Sequence, residues 1–242
     1  MYTDLLDIVI IFSLYSFGGW VLETVYASIR EKRFVNRGFL SGPFVPIYGF
    51  GALLVIFSSR IADNILGAGT MYSLPVKFFL AFLLASFLEY LVSLAMEKIF
   101  GCRWWDYSEN FLNIQGRVCL SYSLLWGLLA CLLVEVVHPV SLSLLEVVNP
   151  AGKAALVAML VVYFVFDTVN SANEIINLRQ VLAAHYLRPA GQVRDKLLLY
   201  RRIILAFPGI RFQQLGVINQ EIRGFLNGKV EKIKAQIKFR WI

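Results

Sequence analysis

Long apolar stretches separated by short polar intervals occupy the first 173 residues of the chain. A helix that crosses ~30 Å of hydrocarbon at ~1.5 Å per residue needs about 20 mostly apolar residues. Five stretches qualify, at about 5–29, 46–61, 75–100, 118–137 and 151–173. The second is short and begins at Pro46, which predicts a tilted or partly broken span. The runs are continuous, whereas the strands of a membrane barrel alternate in polarity. The pattern therefore predicts an all-α polytopic membrane protein, with a transmembrane domain over 1–174 and a tail over 175–242. In the tail, Leu215, Ile218, Ile222, Leu226, Val230, Ile233 and Ile237 recur at helical steps. Pro208-Gly209 separates this basic amphipathic helix from an earlier one expected around Val193 to Leu205. Such a helix lies on a membrane surface or on the protein's own helix ends.

Composition agrees. The mean hydropathy is +0.66 and only 16% of residues are charged, too few to solvate a soluble domain of this length. The placement of the charges sets an expected orientation, because cytoplasmic loops carry the Lys/Arg excess. Twenty basic residues fall on one side of the predicted spans, 13 of them in the tail. Only Arg60, Lys77 and Lys153 fall on the other. The amino terminus is thus expected outside and the tail in the cytoplasm of a bacterial plasma membrane. Asp4 and Asp7 precede the first run with no early Lys or Arg, so that run is expected to stay as a span rather than act as a secretory leader. The net charge of +7 arises in the tail. Next to a bilayer, each well-placed cation gains about 1 kcal/mol from anionic lipid, which favours membrane lipids over nucleic acid as partner.

Cys102, Cys119 and Cys131 form no CxxC pair and are read as free thiols, and His138 and His185 fall on opposite sides of the membrane. No metal or cofactor is expected. There is no GxxxxGK[ST], HExxH or GxSxG, so the chain carries no nucleotide-binding P-loop and no recognisable hydrolase or metalloprotease site.

The candidate site residues gather at the basic side. Residues 35–51 hold four glycines and two prolines yet are too apolar for a solvated loop. Two readings stand: a short re-entrant or interfacial segment that delivers Asn36 and Arg37 to the helix ends, or a tight turn, and Tyr48 is counted among the candidate residues. The interval 101–117 places Trp104, Trp105, Asp106, Tyr107, Asn113 and Arg117 close together. The aromatics suit an interfacial belt, and the polar set around them suits a head group or phosphate. Within the spans lie Glu23, Glu89 and Asp167, with Glu174 following Asp167 at helical spacing. Carboxylates there must face the bundle interior and find partners. They form either a structural lock or a cation, proton or substrate site, with Arg37, Arg103 and Arg117 as available cations.

These residues carry a resemblance. Asn36-Arg37-Gly38-Phe39-Leu40, Gly42-Pro43 and Pro46-Ile47-Tyr48-Gly49 resemble the signature of the bacterial ABC-transporter type IV family, also called CmpB-like. Gly19-Trp20 with Glu23, Glu89-Tyr90, Trp104-Trp105-Asp106-Tyr107-Ser108, Asn113, Gly116-Arg117, Cys119-Leu120 and Trp126-Gly127 fit the same pattern. The resemblance covers about Phe12 to Pro139. It implies a permease subunit of an ATP-driven transporter, with the ATPase on a separate chain and a homo- or hetero-oligomer as the working unit. Two other readings stay open: an intramembrane enzyme acting on a lipid or lipid-linked head group, and a non-catalytic scaffold or regulator.

Overall fold

The computed structural model describes residues 4–185, 199–207 and 210–212. The predicted helix over 215–237, the start of the helix expected from Val193 and the Pro208-Gly209 break lie outside the described residues. Five helices are long and apolar enough to cross a membrane. They are α1 (Leu5–Glu31), α2 (Pro46–Leu66), α3 (Ser73–Phe100), a composite fourth helix and α6 (Pro150–His185). The fourth consists of α4 (Leu120–Leu132), a π-helical turn (Leu133–Val137) and α5 (His138–Glu146). The short strand β1 (Cys102–Arg103) follows α3. The short helix α7 (Arg201–Ala206) and strand β2 (Arg211–Phe212) come after α6, and β2 pairs antiparallel with β1.

Local chemistry sets the helix limits. Asp4 accepts from the Leu6 N–H at 3.3 Å and caps α1. Lys32 closes that helix in the left-handed region at φ 51°. Asn149 accepts from the Gly152 N–H at 2.7 Å, with Pro150 at the first helical position of α6. Consecutive helices α1 to α4 pack in sequence and α6 lies along α1. Outward faces carry exposed Phe79, Leu83, Phe87, Val162 and Phe166, as lipid contact requires.

Three helices run past the spans predicted from hydropathy. α2 is unbroken and extends to Leu66 rather than ending near Ile61. Its polar end is accommodated because Asp63 pairs with Lys77 at 2.9 Å. The fourth helix continues past Val137 to Glu146. Pro139 cannot donate to the turn before it, and the wide π turn absorbs that defect. Buried His138 then bonds Tyr15 Oη at 2.9 Å. α6 runs beyond Asn173 as one helix because Ile175 and Leu178 are fully buried at the basic end.

The connection from α1 to α2 is a re-entrant segment rather than a tight turn. The Val45 N–H donates to the Ser16 carbonyl at 2.9 Å. Ser16 lies roughly 22 Å below the Glu31 end of α1, at ~1.5 Å per residue. Extended backbone at that depth needs partners from the protein. Asp167 of α6 supplies them: its carboxylate accepts from the Ser41 and Gly42 N–H groups, each at 3.0 Å. A Cβ on Gly42 would collide with Tyr163 Oη, so any larger residue here would have to displace that side chain. On the carbonyl side, Arg202 donates to the carbonyls of Gly38 at 3.3 Å and Leu40 at 3.1 Å, and pairs with Glu174 at 2.9 Å.

α7 therefore packs on the bundle. Ile203, Ile204, Phe207 and Ile210 join Ala27, Phe100, Cys102, Trp104, Ile175 and Leu178 in one apolar cluster below the helix ends. Burial pushes the Cys102 thiol up to about 12, so it stays protonated at neutral pH. In the folded protein Cys102 should resist maleimide. Arg202→Ala should speed that labelling by about tenfold or more, since hydrogen bonds to charged groups contribute about 1.5–3 kcal/mol each; an unchanged rate would show that α7 is not held by this contact. Asp167→Ala should lower unfolding stability by about 1–3 kcal/mol, because it leaves the Gly42 N–H without its acceptor and the Ser41 N–H with Ser171 Oγ alone. Denaturant titration in detergent measures it.

Candidate functional site

At the basic end, short connections bring side chains of four helices together. Glu23 Oε1 accepts from Tyr48 Oη at 3.1 Å. Its Oε2 lies 3.2 Å from Arg37 Nε, off line for a hydrogen bond, so charge holds this contact. Arg37 is placed by its own N–H, which donates to Thr24 Oγ1 at 3.3 Å, and by the Phe207 ring 5.9 Å from its guanidinium. Asn36 accepts from Trp20 Nε1 at 2.6 Å and donates to the Ser41 carbonyl at 2.7 Å, which fixes the start of the re-entrant segment.

Glu89 of α3 is 5% exposed. Its Oε1 accepts from Tyr107 Oη and its Oε2 from Trp126 Nε1, each at 3.1 Å. The Trp126 ring meets the Tyr48 ring edge to face at 5.5 Å. Arg37, Glu23, Tyr48, Trp126, Glu89 and Tyr107 thus form one continuous chain across α1, α2, α3 and α4. Tyr107 stacks on Tyr122 with centroids 4.7 Å apart. Burial, and then the Glu89 charge, push the Tyr107 phenol above its ordinary value, so it remains a donor.

Glu89, Ser93 and Glu97 follow at four-residue steps on one face of α3. Glu97 is shared by two cations: the buried Arg117 guanidinium, which also donates to Ser93 Oγ at 3.2 Å, and Arg103 Nε at 3.0 Å. The other expected residues of this loop hold its shape. Asp106 accepts from the Ser108 N–H at 3.0 Å and from the Ser108 hydroxyl. Asn113 accepts from the Gly116 N–H and donates to the Asn110 carbonyl, each at 3.0 Å. Trp105 donates to the Arg117 carbonyl at 2.9 Å. Trp104 is buried between Phe39 and Phe207, and its Nε1 finds no acceptor among the described residues.

Of the residues expected from the sequence, Glu23, Arg37, Tyr48, Glu89 and Tyr107 meet in one network. Asp167 stands apart on the re-entrant backbone. Two participants were not anticipated in these roles. Trp126 supplies a donor to Glu89 from an otherwise apolar stretch of α4. Glu97 neutralises the arginines, and its four-residue step from Ser93 was the available signal. At the opposite end, Lys77 lies 2.9 Å from Asp63 and 3.0 Å from Glu135, tying α2 and α3 to the π turn.

The network closes one end of a cavity of about 450 Å³ between α1, α2, α3 and α4. The cavity wall is apolar apart from Tyr15, Tyr48, Glu89 and Trp126. Its rim residues Leu22 and Leu132 are 59% and 52% exposed, on α1 and α4, so the opening between those helices faces sideways. Among the described residues no group of histidine, cysteine, aspartate or glutamate could hold a metal ion.

No curated protein and no solved structure matches the chain. A family profile matches residues 10–172, a stretch that holds every candidate residue from Glu23 to Asp167. By that match the chain is a membrane protein of the family described as "Putative ABC-transporter type IV".

Proposed function

We propose that this chain is the membrane-spanning subunit of an ATP-driven transporter whose ATPase is a separate protein. The observation that carries the reading is the chain from Arg37 through Glu23, Tyr48, Trp126 and Glu89 to Tyr107, set at the head of a cavity at membrane depth. Groups contributed by four helices can change their contacts when those helices shift, which is what a translocation site needs. Family membership supports the transporter class. The sequence has no P-loop, so hydrolysis must come from elsewhere.

The basic end is the docking face in this reading. The 101–119 connection, β1–β2 and α7 form a layer over the helix ends, tied down by Arg202 and the cluster around Trp104. The Lys/Arg excess there supports a cytoplasmic setting in a bacterial plasma membrane, with the amino terminus outside. Five spans are few for a complete pathway, so the working unit contains a second copy or another membrane chain.

Mild-detergent purification of the tagged protein, with mass spectrometry of its partners, tests the reading. A stoichiometric ATPase is the expected result, and its absence overturns the permease assignment. In the assembled complex, Glu89→Gln should cut substrate-stimulated ATP hydrolysis by about tenfold or more, the effect of losing a charge-assisted contact of ~1.5–3 kcal/mol. Glu23→Gln should cut it as well, since it leaves the Arg37 guanidinium without its counter-ion. Hydrolysis unchanged in both variants would remove the acids from the mechanism.

A further inference from the structure

The cavity has two features that the transport reading leaves unspecified. The first is its bare wall. Gly18 on α1 and Gly51 on α2 both line it. A Cβ added at Gly18 would meet nothing within 4 Å, and one at Gly51 only Leu88 at 3.7 Å. Other helical glycines of the bundle behave differently. A Cβ at Gly19 would strike the Tyr48 ring, and one at Gly127 the Phe78 ring at 2.7 Å. Those two permit close packing. Gly18 and Gly51 permit none, although glycine inside a helix costs about 1 kcal/mol relative to alanine. What they preserve is empty, apolar, laterally open volume.

The second feature is charge. Glu89 lines the cavity, and among the described residues no cation lies within ion-pair distance of it. Its oxygens each take one donor, Tyr107 or Trp126, and each keeps a further acceptor position. Glu23 beside it is matched by Arg37. The polar end of the cavity therefore carries one carboxyl group more than it has cations among the described residues. The whole cavity, at about 450 Å³, is of the size that holds a small ligand, within the ~300–1,000 Å³ usual for such sites.

We infer that this cavity binds an amphiphile carrying an ammonium group, which enters from the bilayer between α1 and α4. The hydrocarbon chain lies along Gly18, Gly51 and Leu129, and the ammonium donates to Glu89. An ammonium would supply the cation that Glu89 lacks, whereas a neutral or anionic head group would not. The inference deepens the transport reading by naming the substrate class, but binding itself does not require an ATPase.

The test uses the full chain in phosphatidylcholine nanodiscs and a long-chain primary alkylamine bearing a mid-chain diazirine. After illumination, mass spectrometry locates the adducts. The expected labels fall on the 18–22 and 129–133 segments. Unlabelled alkylamine should compete about tenfold better than the alcohol or sulfate of equal chain length, as one charge-assisted contact implies. Glu89→Gln should abolish that preference. Gly18→Leu and Gly51→Leu, whose Cβ positions are open, should each reduce cavity labelling about tenfold by losing the chain's contacts, while labels on lipid-facing Phe79 and Leu83 persist as the control for folding and reconstitution. Labels confined to the lipid-facing surface would overturn the inference, as would equal competition by the alcohol or labelling undiminished in both glycine variants. Cavity labelling without any ATPase partner would sink the transporter reading and keep the site. An ATPase partner without cavity labelling would do the reverse.

Discussion

A carboxylate inside an apolar helix has to find its donors within the protein, because lipid offers none. This constraint organises the basic end of the bundle. Glu23 gathers Tyr48 and Arg37, Glu89 gathers Tyr107 and Trp126, Glu97 gathers Arg103 and Arg117, and Asp167 gathers the backbone of Ser41 and Gly42. Each acid thereby fixes a segment that apolar packing alone would leave free to slide. Breaking such a pair by removing one partner typically costs about 3–5 kcal/mol, far more than the pair itself contributes, so the network specifies arrangement more than it adds stability.

The re-entrant segment shows how closely the accounting must balance. Non-helical backbone at membrane depth exposes both donors and acceptors. Asp167 takes N–H groups from one side, and Arg202 gives to carbonyls on the other. Arg202 comes from α7, far along the chain, and is steadied by Glu174 of α6. The layer below the helix ends is thus part of the same device that lets α2 begin deep beside α1. Buried Ile203 and Phe207 then anchor that layer through apolar contact with α1, α3 and α6. Full burial of an isoleucine or phenylalanine side chain contributes about 1.5–3 kcal/mol.

The cavity follows from the same arrangement. α1 and α4 flank a gap floored by α2 and α3, and Tyr15 with His138 and Ser141 closes it at the far end. At the basic end the acids and aromatics close it. The result is an apolar chamber with hydrogen-bonding groups at both ends and a lateral mouth, a shape suited to a molecule that itself has a polar end and a hydrocarbon body.

The sequence by itself determined that the chain spans a membrane, in five helical passes, with Glu23, Glu89 and Asp167 toward the basic side. Length and hydropathy are local quantities, and Glu23, Glu89 and Asp167 are visible as charges in apolar surroundings. It also marked residues 35–51 as unable to form a simple helix, which holds for 35–45 but not for 46–51, the first turns of α2. Three helices run past the predicted spans because polar residues interrupt hydropathy without interrupting a helix when neighbours satisfy them, as Lys77 does for Asp63 and Tyr15 for His138. Only the tertiary structure decided which acid meets which donor. Asp167 and Ser41 are 126 residues apart, and Trp126 and Glu89 are 37. No periodicity encodes such pairings, because they depend on the rotation and height of each helix against its neighbours. Those are set by packing across the whole bundle, which also decided that Gly18 and Gly51 face open space while Gly19 and Gly127 are packed against aromatic rings.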